Sequence, residues 1–137
     1  MKGTGSEQGW LEEFVRDRGG VAGTVHVLSE TGELHLAAAL NIPDKVQEIV
    51  RRIPRGKGMA GLAWERNEPV STCNIQSDST GKVRPGARAI DAQAGVALPV
   101  RDARGEVRAV VGIAYGEERT LDEAELAALA SAAASLP

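Results

Sequence analysis

The most constraining feature of this 137-residue chain is the stretch from Ile53 to Asp78, in which three glycines open a short helical segment. Gly56, Gly58 and Gly61 allow backbone conformations that other residues avoid, and they predict a tight turn at the start of a helix. Asn67 and Pro69 end that helix, and proline does so because it lacks the backbone N–H that a helix interior needs. The stretch therefore predicts a turn, a short helix and a short strand in direct succession.

The composition indicates one folded domain with an aliphatic core. Hydrophobic residues make up 42% of the chain and aromatic residues only 3%, and a chain of this length can bury roughly two-thirds of its unfolded surface. The net charge of −3 comes from intermingled acidic and basic residues, so no nucleic-acid partner is expected. Without a secretion signal or a run of membrane-spanning length, we expect a soluble, cytoplasmic protein that does not bind membranes.

Hydrophobic periodicity and turn residues predict an α+β fold. The predicted helices cover residues 6–18, 44–53, 59–66 and 120–136, and the predicted strands cover residues 21–29, 33–40, 70–73, 95–101 and 107–115. Two strand pairs are separated by short turns, which is typical of antiparallel hairpins. The expected sheet is therefore antiparallel, with about five strands.

Several local details follow from these patterns. A two-residue turn at Thr31-Gly32 places Leu28 near His35 in the first hairpin. Thr120 and Glu123 have the spacing of a capping box at the start of the last helix. Helical spacing predicts buried apolar faces on three helices, namely Trp10, Leu11, Phe14 and Val15; Val46, Ile49, Val50 and Ile53; and Leu126, Leu129, Ala130, Ala133 and Leu136.

Taken together, residues 8–135 resemble a GAF domain, a small ligand-sensing module of many bacterial signalling proteins. The matching segments are Gly23–Leu28 with its returning strand, Ile53–Asp78, Gly95–Val100, and Gly105 followed by Val111–Ala114. The resemblance implies a GAF/PAS-like arrangement, with the terminal helices on one face of the sheet. On the other face it implies a ligand pocket enclosed by the two short helices, the strand ending at Cys73 and the long loop. It also implies a homodimer formed through the terminal helices.

Family functions can be compared with the residues present. The Asn-Lys-Phe-Asp-Glu signature of cyclic-nucleotide binders is absent, because Phe14 is the only phenylalanine. Bilin photoreceptors attach their chromophore to a loop cysteine, whereas Cys73 is predicted on a strand. Free methionine-R-sulfoxide reductases need at least two cysteines to form and resolve a disulfide, and this chain has one. We therefore expect a protein that is not an enzyme and needs no cofactor or metal.

Ten residues form the candidate ligand site around the third helix, the strand after it and the long loop. They are Lys57, Gly58, Met59, Leu62, Ala63, Cys73, Ile75, Asp78, Arg84 and Val96. The helix start at Lys57-Gly58 either holds an anion, as in GAF domains that bind nitrate, or is an ordinary glycine turn with solvated cations. The G-x-G-x-x-G spacing follows a helix and a proline, so it does not predict dinucleotide binding.

Individual side chains leave alternatives open. Trp64 either stacks on a ligand or packs on the sheet, and packing is favoured. Cys73 is either a redox-sensing thiol or an inert buried residue, and burial is favoured. His26 and His35 either meet at a metal or are separate histidines, and the second reading is favoured. The long loop is either a polar lid or a surface loop, with candidate lid residues Asp78, Arg84, Arg88 and Asp91.

Three functional hypotheses follow. The first is a non-catalytic sensor that binds a small molecule or an anion and passes the signal to a partner protein in trans. The second is a dimeric interaction scaffold with an empty or collapsed pocket, which a cavity filled by the side chains of Met59, Leu62 and Val96 would favour. The third is a redox protein that acts through Cys73 with an external thiol as the resolving partner.

Overall fold

The computed structural model describes residues 4–77 and 92–137. The helices are α1 (Thr4–Asp17), α2 (Asp44–Val50), α3 (Gly58–Arg66) and α4 (Glu123–Ala133). The strands are β1 (Ala22–Leu28), β2 (Leu34–Leu40), β3 (Arg52–Ile53), β4 (Val70–Thr72), β5 (Ala94–Arg101) and β6 (Val107–Tyr115). Across these two ranges, no helix has the length and apolar character needed to cross a membrane.

The α+β fold is confirmed, with an antiparallel sheet of six strands in the order β3-β2-β1-β6-β5-β4. The strand missing from the sequence prediction is β3, whose residues the hydrophobic pattern places in the second helix. Ile53 pairs with Leu34, and Arg52 pairs with His35. Ile53 precedes Pro54, and a residue before proline is disfavoured in helical conformation. The helix therefore stops at Val50, and the next residues extend along the edge of β2.

The predicted register of the first hairpin is wrong by one position. Leu28 pairs with Leu34, and His35 lies opposite Val27 instead. The turn has three residues, because the Ser29 backbone N–H donates to the Glu33 carbonyl oxygen and encloses Glu30, Thr31 and Gly32. Gly32 has a φ of 86°, the left-handed conformation that closes such a turn.

The terminal helices pack on one face of the sheet, as expected. Their buried side chains form one cluster with the residues of β1, β5 and β6 that point to this face, including Leu11, Phe14 and Leu129. A methyl group at Gly23 would come within 2.7 Å of Val15 Cγ2, so this glycine allows α1 to approach β1 closely. The apolar faces of both helices are thus used within the domain.

The start of the last helix differs from the prediction. The capping box is formed by Asp122 and Glu125, two residues beyond the predicted pair of Thr120 and Glu123. The Glu125 backbone N–H donates to Asp122 Oδ1 at 2.8 Å, and the Asp122 backbone N–H donates to Glu125 Oε1 at 3.2 Å. Aspartate caps a helix as well as threonine does, so the sequence holds two spacings that satisfy the same rule.

The opposite face of the sheet is covered by α2 and α3. Two clusters lie here, one under α2 around Val46 and Ile75, and one under α3 around Ala63 and Val110. The predicted stripe on α2 is only partly correct. Val46 is fully buried, but Ile49 remains 39% exposed. A seven-residue helix makes only about two turns, so few of its side chains can face the sheet.

A hydrogen bond from His26 joins the end of α2 to the sheet. The side chain is 2% exposed, and its Nε2 lies 2.8 Å from the carbonyl oxygen of Val50, the last residue of α2. Because a carbonyl oxygen only accepts, Nε2 carries the proton and donates. Desolvation by burial lowers the pKa of His26 from 6.5 to about 4, and the hydrogen bond to Val50 opposes this only in part. His26 is therefore neutral in the folded protein at pH 7.

Two substitutions on α2 test the orientation of this helix. Val46→Ala removes two buried methyl groups and should lower the free energy of unfolding by about 2 kcal/mol. Ile49→Ala, on the exposed side of the same helix, should lower it by less than about 1 kcal/mol. Urea unfolding followed by circular dichroism measures both. Equal losses would contradict the placement of Ile49 at the surface.

The pKa of His26 predicts loss of stability in mild acid. The folded-state pKa lies below the unfolded value of 6.5, so the unfolded chain takes up the proton first as the pH falls. The stabilisation by His26 is complete above pH 6.5, and about 3 kcal/mol of it should be lost by pH 4.

Urea unfolding at a series of pH values measures this loss. His26→Gln keeps a side-chain N–H that can donate to the Val50 carbonyl oxygen but has no titrating ring. Between pH 6.5 and 4, the free energy of unfolding of this variant should fall less steeply than that of the parent protein. The free energy of unfolding of the matched variant His35→Gln should fall as steeply as that of the parent protein. The same slope in all three proteins would contradict the assignment to His26.

Candidate ligand-binding site

Small residues on three central strands form the floor of a space on the α2–α3 side of the sheet. Sheet pairing places them in two neighbouring rows that run across β1, β6 and β5. The rows are Ala22, Ala114 and Gly95, and then Thr24, Gly112 and Ala97. Side chains alternate between the two faces of a strand, so these alternate positions share one face. Five of the six carry at most a methyl group, which leaves room above the sheet.

The room above this floor is a cavity of about 130 Å³. Its walls are apolar side chains from α2, β3, α3 and the segment after β4, together with the segment before α2. The described wall residues are Ile42, Val46, Val50, Ile53, Gly58, Met59, Ala60 and Ile75, and Gly23, His26, Val96 and Ile113 also border the cavity. Ile75 leans over the floor, since a methyl group at Gly95 would come within 3.0 Å of its Cδ1.

Two polar side chains border the cavity among the described residues. The Nε2 of His26 is already bonded, because it donates to the Val50 carbonyl oxygen. The Nδ1 of His26 is buried and has no partner in the part of the chain that the structure describes. Thr24 is half-buried, and its hydroxyl lies over the floor, since a methyl group at Gly112 would come within 2.8 Å of Thr24 Oγ1. Thr24 therefore provides the accessible side-chain hydrogen-bonding group.

The glycine turn before α3 has a structural explanation. Gly56 and Gly58 have φ values of 82° and 67°, and a methyl group at Gly61 would come within 2.6 Å of the Pro54 carbonyl oxygen. These glycines close the turn and let α3 pack against it. The first residues of α3 border the cavity, but Lys57 is exposed and does not. The turn thus shapes one wall without bringing a cation into the cavity.

Trp64 lies outside the cavity. It is half-buried and packs against the cluster under α3, and the guanidinium carbon of Arg55 lies 5.8 Å from the centre of its ring. The aromatic ring and the cation beside it are both used at the surface of α3. Neither reaches the floor.

Four of the ten predicted site residues border the cavity: Gly58, Met59, Ile75 and Val96. For Val96 this is true only of the strand, because its side chain belongs to the cluster under the terminal helices. Leu62 and Ala63 pack under α3 beside the cavity. Asp78 and Arg84 lie outside the described residues, as do Arg88 and Asp91 of the predicted lid.

Cys73 is exposed and lies one residue beyond β4, so the expectation of a buried strand cysteine is wrong. Only Val70 to Thr72 pair with β5, and the chain then turns away from the sheet. The Cys73 carbonyl oxygen accepts from the Arg119 backbone N–H at 3.4 Å, while the residue itself does not border the cavity. Strand β4 stops pairing with β5 at Thr72, so the sheet does not cover the side chain of Cys73.

The two histidines lie on opposite faces of the sheet. His35 pairs with Val27 and shares the terminal-helix face, whereas His26 faces the cavity side. Among the described residues, no group of histidine, cysteine and carboxylate side chains could hold a metal ion. Their separation excludes a shared site for this pair.

The sequence prediction missed the floor. The sequence does contain a pattern that fits such a floor, namely small residues at every second position of a strand. It occurs in Gly95-x-Ala97, Gly112-x-Ala114 and Ala22-x-Thr24. Such residues are weak evidence for a site by themselves, because small residues also occur where helices pack closely. Only the register of the three strands brings them into two continuous rows.

Comparisons with known proteins agree with this architecture. A family model described as a GAF domain matches residues 9–136. The type II free methionine-R-sulfoxide reductase from Thermoplasma acidophilum is 22% identical, with a TM-score of 0.76 over 98% of this chain and 91% of that chain. The GAF domain from an Acinetobacter phosphoenolpyruvate-protein phosphotransferase is 19% identical, with a TM-score of 0.77 over 99% of this chain and 80% of that chain.

A further solved structure is similar in the same way. The GAF domain of A. aeolicus nlh2, in an inactive state, is 18% identical, with a TM-score of 0.69 over 98% of this chain and 79% of that chain. A comparison with curated proteins found no match. At these identities the structural likeness shows the fold, and the family match covers nearly the whole length. The chain belongs to the GAF domain family.

Proposed function

We propose that this GAF domain is a non-catalytic sensor that binds a small molecule in the cavity between the sheet floor, α2 and α3. The observation that carries the proposal is the cavity itself, about 130 Å³ above a floor of glycine and alanine. Protein interiors are normally filled to the density of organic crystals, so a cavity of this size at the centre of a small domain lacks a packing purpose. A scaffold with a collapsed pocket is less well supported, because the Val96 side chain points to the other face. A scaffold with an empty pocket has the same cavity, and only a binding experiment separates it from the sensor.

A connected set of contacts supports a role in signalling through α4. Ile75 borders the cavity, and its backbone N–H donates to the Gln93 carbonyl oxygen at 2.5 Å. The Gln93 backbone N–H in turn donates to the Tyr115 carbonyl oxygen at 2.8 Å. Arg119 lies over the Tyr115 ring at 4.4 Å and pairs with Glu125, which belongs to the capping box of α4.

These contacts suggest how ligand binding is reported. A ligand that moves Ile75 changes the position of residues bonded to the start of α4. We propose that a partner protein, or a second copy of this chain, contacts the terminal helices and responds to that change. The backbone hydrogen bonds join Ile75 and Gln93 to Tyr115, and the Arg119 side chain makes the last step to α4 through an ion pair with Glu125 that is partly exposed and contributes little stability by itself.

Filling the cavity tests the proposal. Ala60→Leu places three extra carbon atoms at the α3 wall and keeps a residue that favours helix, so ligand binding should be lost while the fold is kept. Ala128→Leu makes the same change at an exposed position of α4 and should leave binding intact. A mixture of small fragments, screened by saturation-transfer NMR against the three proteins, measures this.

The possible results separate the hypotheses. Fragments that bind the parent protein and Ala128→Leu but not Ala60→Leu would support the cavity as the ligand site. Equal binding to Ala60→Leu would place the ligand elsewhere. A parent protein that binds none of the fragments would favour the interaction scaffold.

The enzyme alternative depends on Cys73. The chain resembles free methionine-R-sulfoxide reductases in fold. The Cys73 thiol lies outside the cavity at an exposed position. We predict that the protein reduces free methionine-R-sulfoxide, with dithiothreitol as reductant, no faster than Cys73→Ser does. Methionine formation measured by chromatography tests this. Turnover by the parent protein that disappears in Cys73→Ser would contradict the sensor proposal and establish a redox protein.

A further inference from the structure

The Thr24 hydroxyl is a polar group at the cavity that no described residue satisfies. Thr24 borders the cavity from β1, and within residues 4–77 and 92–137 no protein group forms a hydrogen bond with its side chain. The residue is only half-buried, and its hydroxyl oxygen is not enclosed as the Nδ1 of His26 is. Because a polar group in an apolar environment is costly without a hydrogen bond, this hydroxyl favours a bonding partner that enters the cavity.

The position of this hydroxyl depends on a glycine in the neighbouring strand. Thr24 pairs with Gly112 of β6, and a methyl group at Gly112 would come within 2.8 Å of Thr24 Oγ1. The hydroxyl therefore lies over the place where any other residue at this position would carry its Cβ. Threonine is stiff at χ1, so few other positions are open to its hydroxyl. Gly112 thus keeps the hydroxyl over the centre of the sheet.

The other described side chains around the cavity do not compete for the polar group of a ligand. Met59 and Ile75 border the cavity with apolar side chains. The Nε2 of His26 already donates to the Val50 carbonyl oxygen. A polar group that leaves water without a new hydrogen bond weakens binding, so among these residues its favoured place is beside the Thr24 hydroxyl.

The volume of the cavity sets the size of what it can hold. An engineered apolar cavity of about 150 Å³ in another protein binds benzene, and this cavity measures about 130 Å³. The part of a ligand that lies inside the cavity therefore has about the volume of a six-membered ring. Volume alone leaves open whether that part is a flat ring, a puckered ring or a branched chain.

We propose that Thr24 selects the ligand, by a hydrogen bond between its hydroxyl and a hydroxyl, carbonyl or amide group on a portion of the ligand about the size of a six-membered ring. Gly112 keeps the place for this contact open. A threonine hydroxyl both donates and accepts, so each of these groups can bond to it, whereas a hydrocarbon of the same volume cannot. This inference rests on the proposed function and names the residue and the chemical group that give the same site its specificity.

Three probe compounds test the role of Thr24. Phenol and cyclohexanol carry a hydroxyl on rings of different shape, and toluene carries none. NMR titration of the labelled protein at pH 7 gives a dissociation constant for each compound. Thr24→Val keeps the shape of the side chain without the hydroxyl, so it should bind phenol and cyclohexanol about fivefold more weakly than the parent protein and toluene equally well. Thr24→Ser keeps the hydroxyl and should bind phenol and cyclohexanol as the parent protein does.

Two glycine variants test the role of Gly112. Gly112→Ala and Gly95→Ala each add one methyl group to the floor of the cavity. The methyl group of Gly112→Ala meets the Thr24 hydroxyl, whereas that of Gly95→Ala comes within 3.0 Å of Ile75 Cδ1 instead. The affinity for phenol relative to toluene should therefore fall about fivefold in Gly112→Ala and stay unchanged in Gly95→Ala. Circular dichroism verifies that the variants are folded, and Thr24→Val decides the proposal if Gly112→Ala does not fold.

The opposite results would overturn the inference. Equal affinity of Thr24→Val and the parent protein for phenol and cyclohexanol would show that the hydroxyl does not bond to the ligand. An unchanged ratio in a folded Gly112→Ala would overturn the role of the glycine. Absence of binding by all three compounds at millimolar concentration would overturn the ligand class. The sensor function fails separately, because a fragment of another class that binds the parent protein and not Ala60→Leu would preserve it.

Discussion

The antiparallel pairing of β1, β6 and β5 is the constraint on which the rest of this structure depends. These strands lie at the centre of the six-stranded sheet, and both of their faces are covered by helices. Because side chains alternate between faces, each strand must satisfy two different environments with alternate residues. A shift of one residue in any strand would exchange the two sets of side chains.

The two faces solve this constraint in different ways. Under α1 and α4 the strands present large aliphatic residues such as Val111 and Leu98, and these form a continuous core with the helices. On the other face the two rows at the cavity present only alanine, glycine and Thr24, so space remains between these rows and the helices α2 and α3. The well-packed face holds the sheet in shape, which allows the other face to keep a cavity without loss of the fold.

Chemistry at the site follows from this division. The described residues that line the cavity are mostly aliphatic, and the exceptions are the Thr24 hydroxyl and His26, whose Nε2 is already bonded to the Val50 carbonyl oxygen. The one thiol of the chain is exposed beyond the end of β4. Binding in the cavity would instead bear on Ile75 and α2, which border it. His26 adds a link of its own, since it joins the sheet directly to the end of α2.

The sequence by itself determined the fold class, the order of elements and the buried faces of the terminal helices, because these depend on local periodicity and turn chemistry. It also determined that the glycines near Gly58 form a turn at a helix start. Where two local rules competed, the tertiary structure decided. Pro54 and the edge of β2 turned Ile53 from helix to strand, and Asp122 replaced Thr120 as the cap.

The site was decided almost wholly by the tertiary structure. Thr24, Gly112 and Ala97 are far apart along the chain, and only the register of β1, β6 and β5 places them in one row. The exposure of Cys73 depends on where β4 leaves its partner, which no local pattern encodes. A cavity is a property of what several elements together fail to fill, so its position can be determined only once their packing is known.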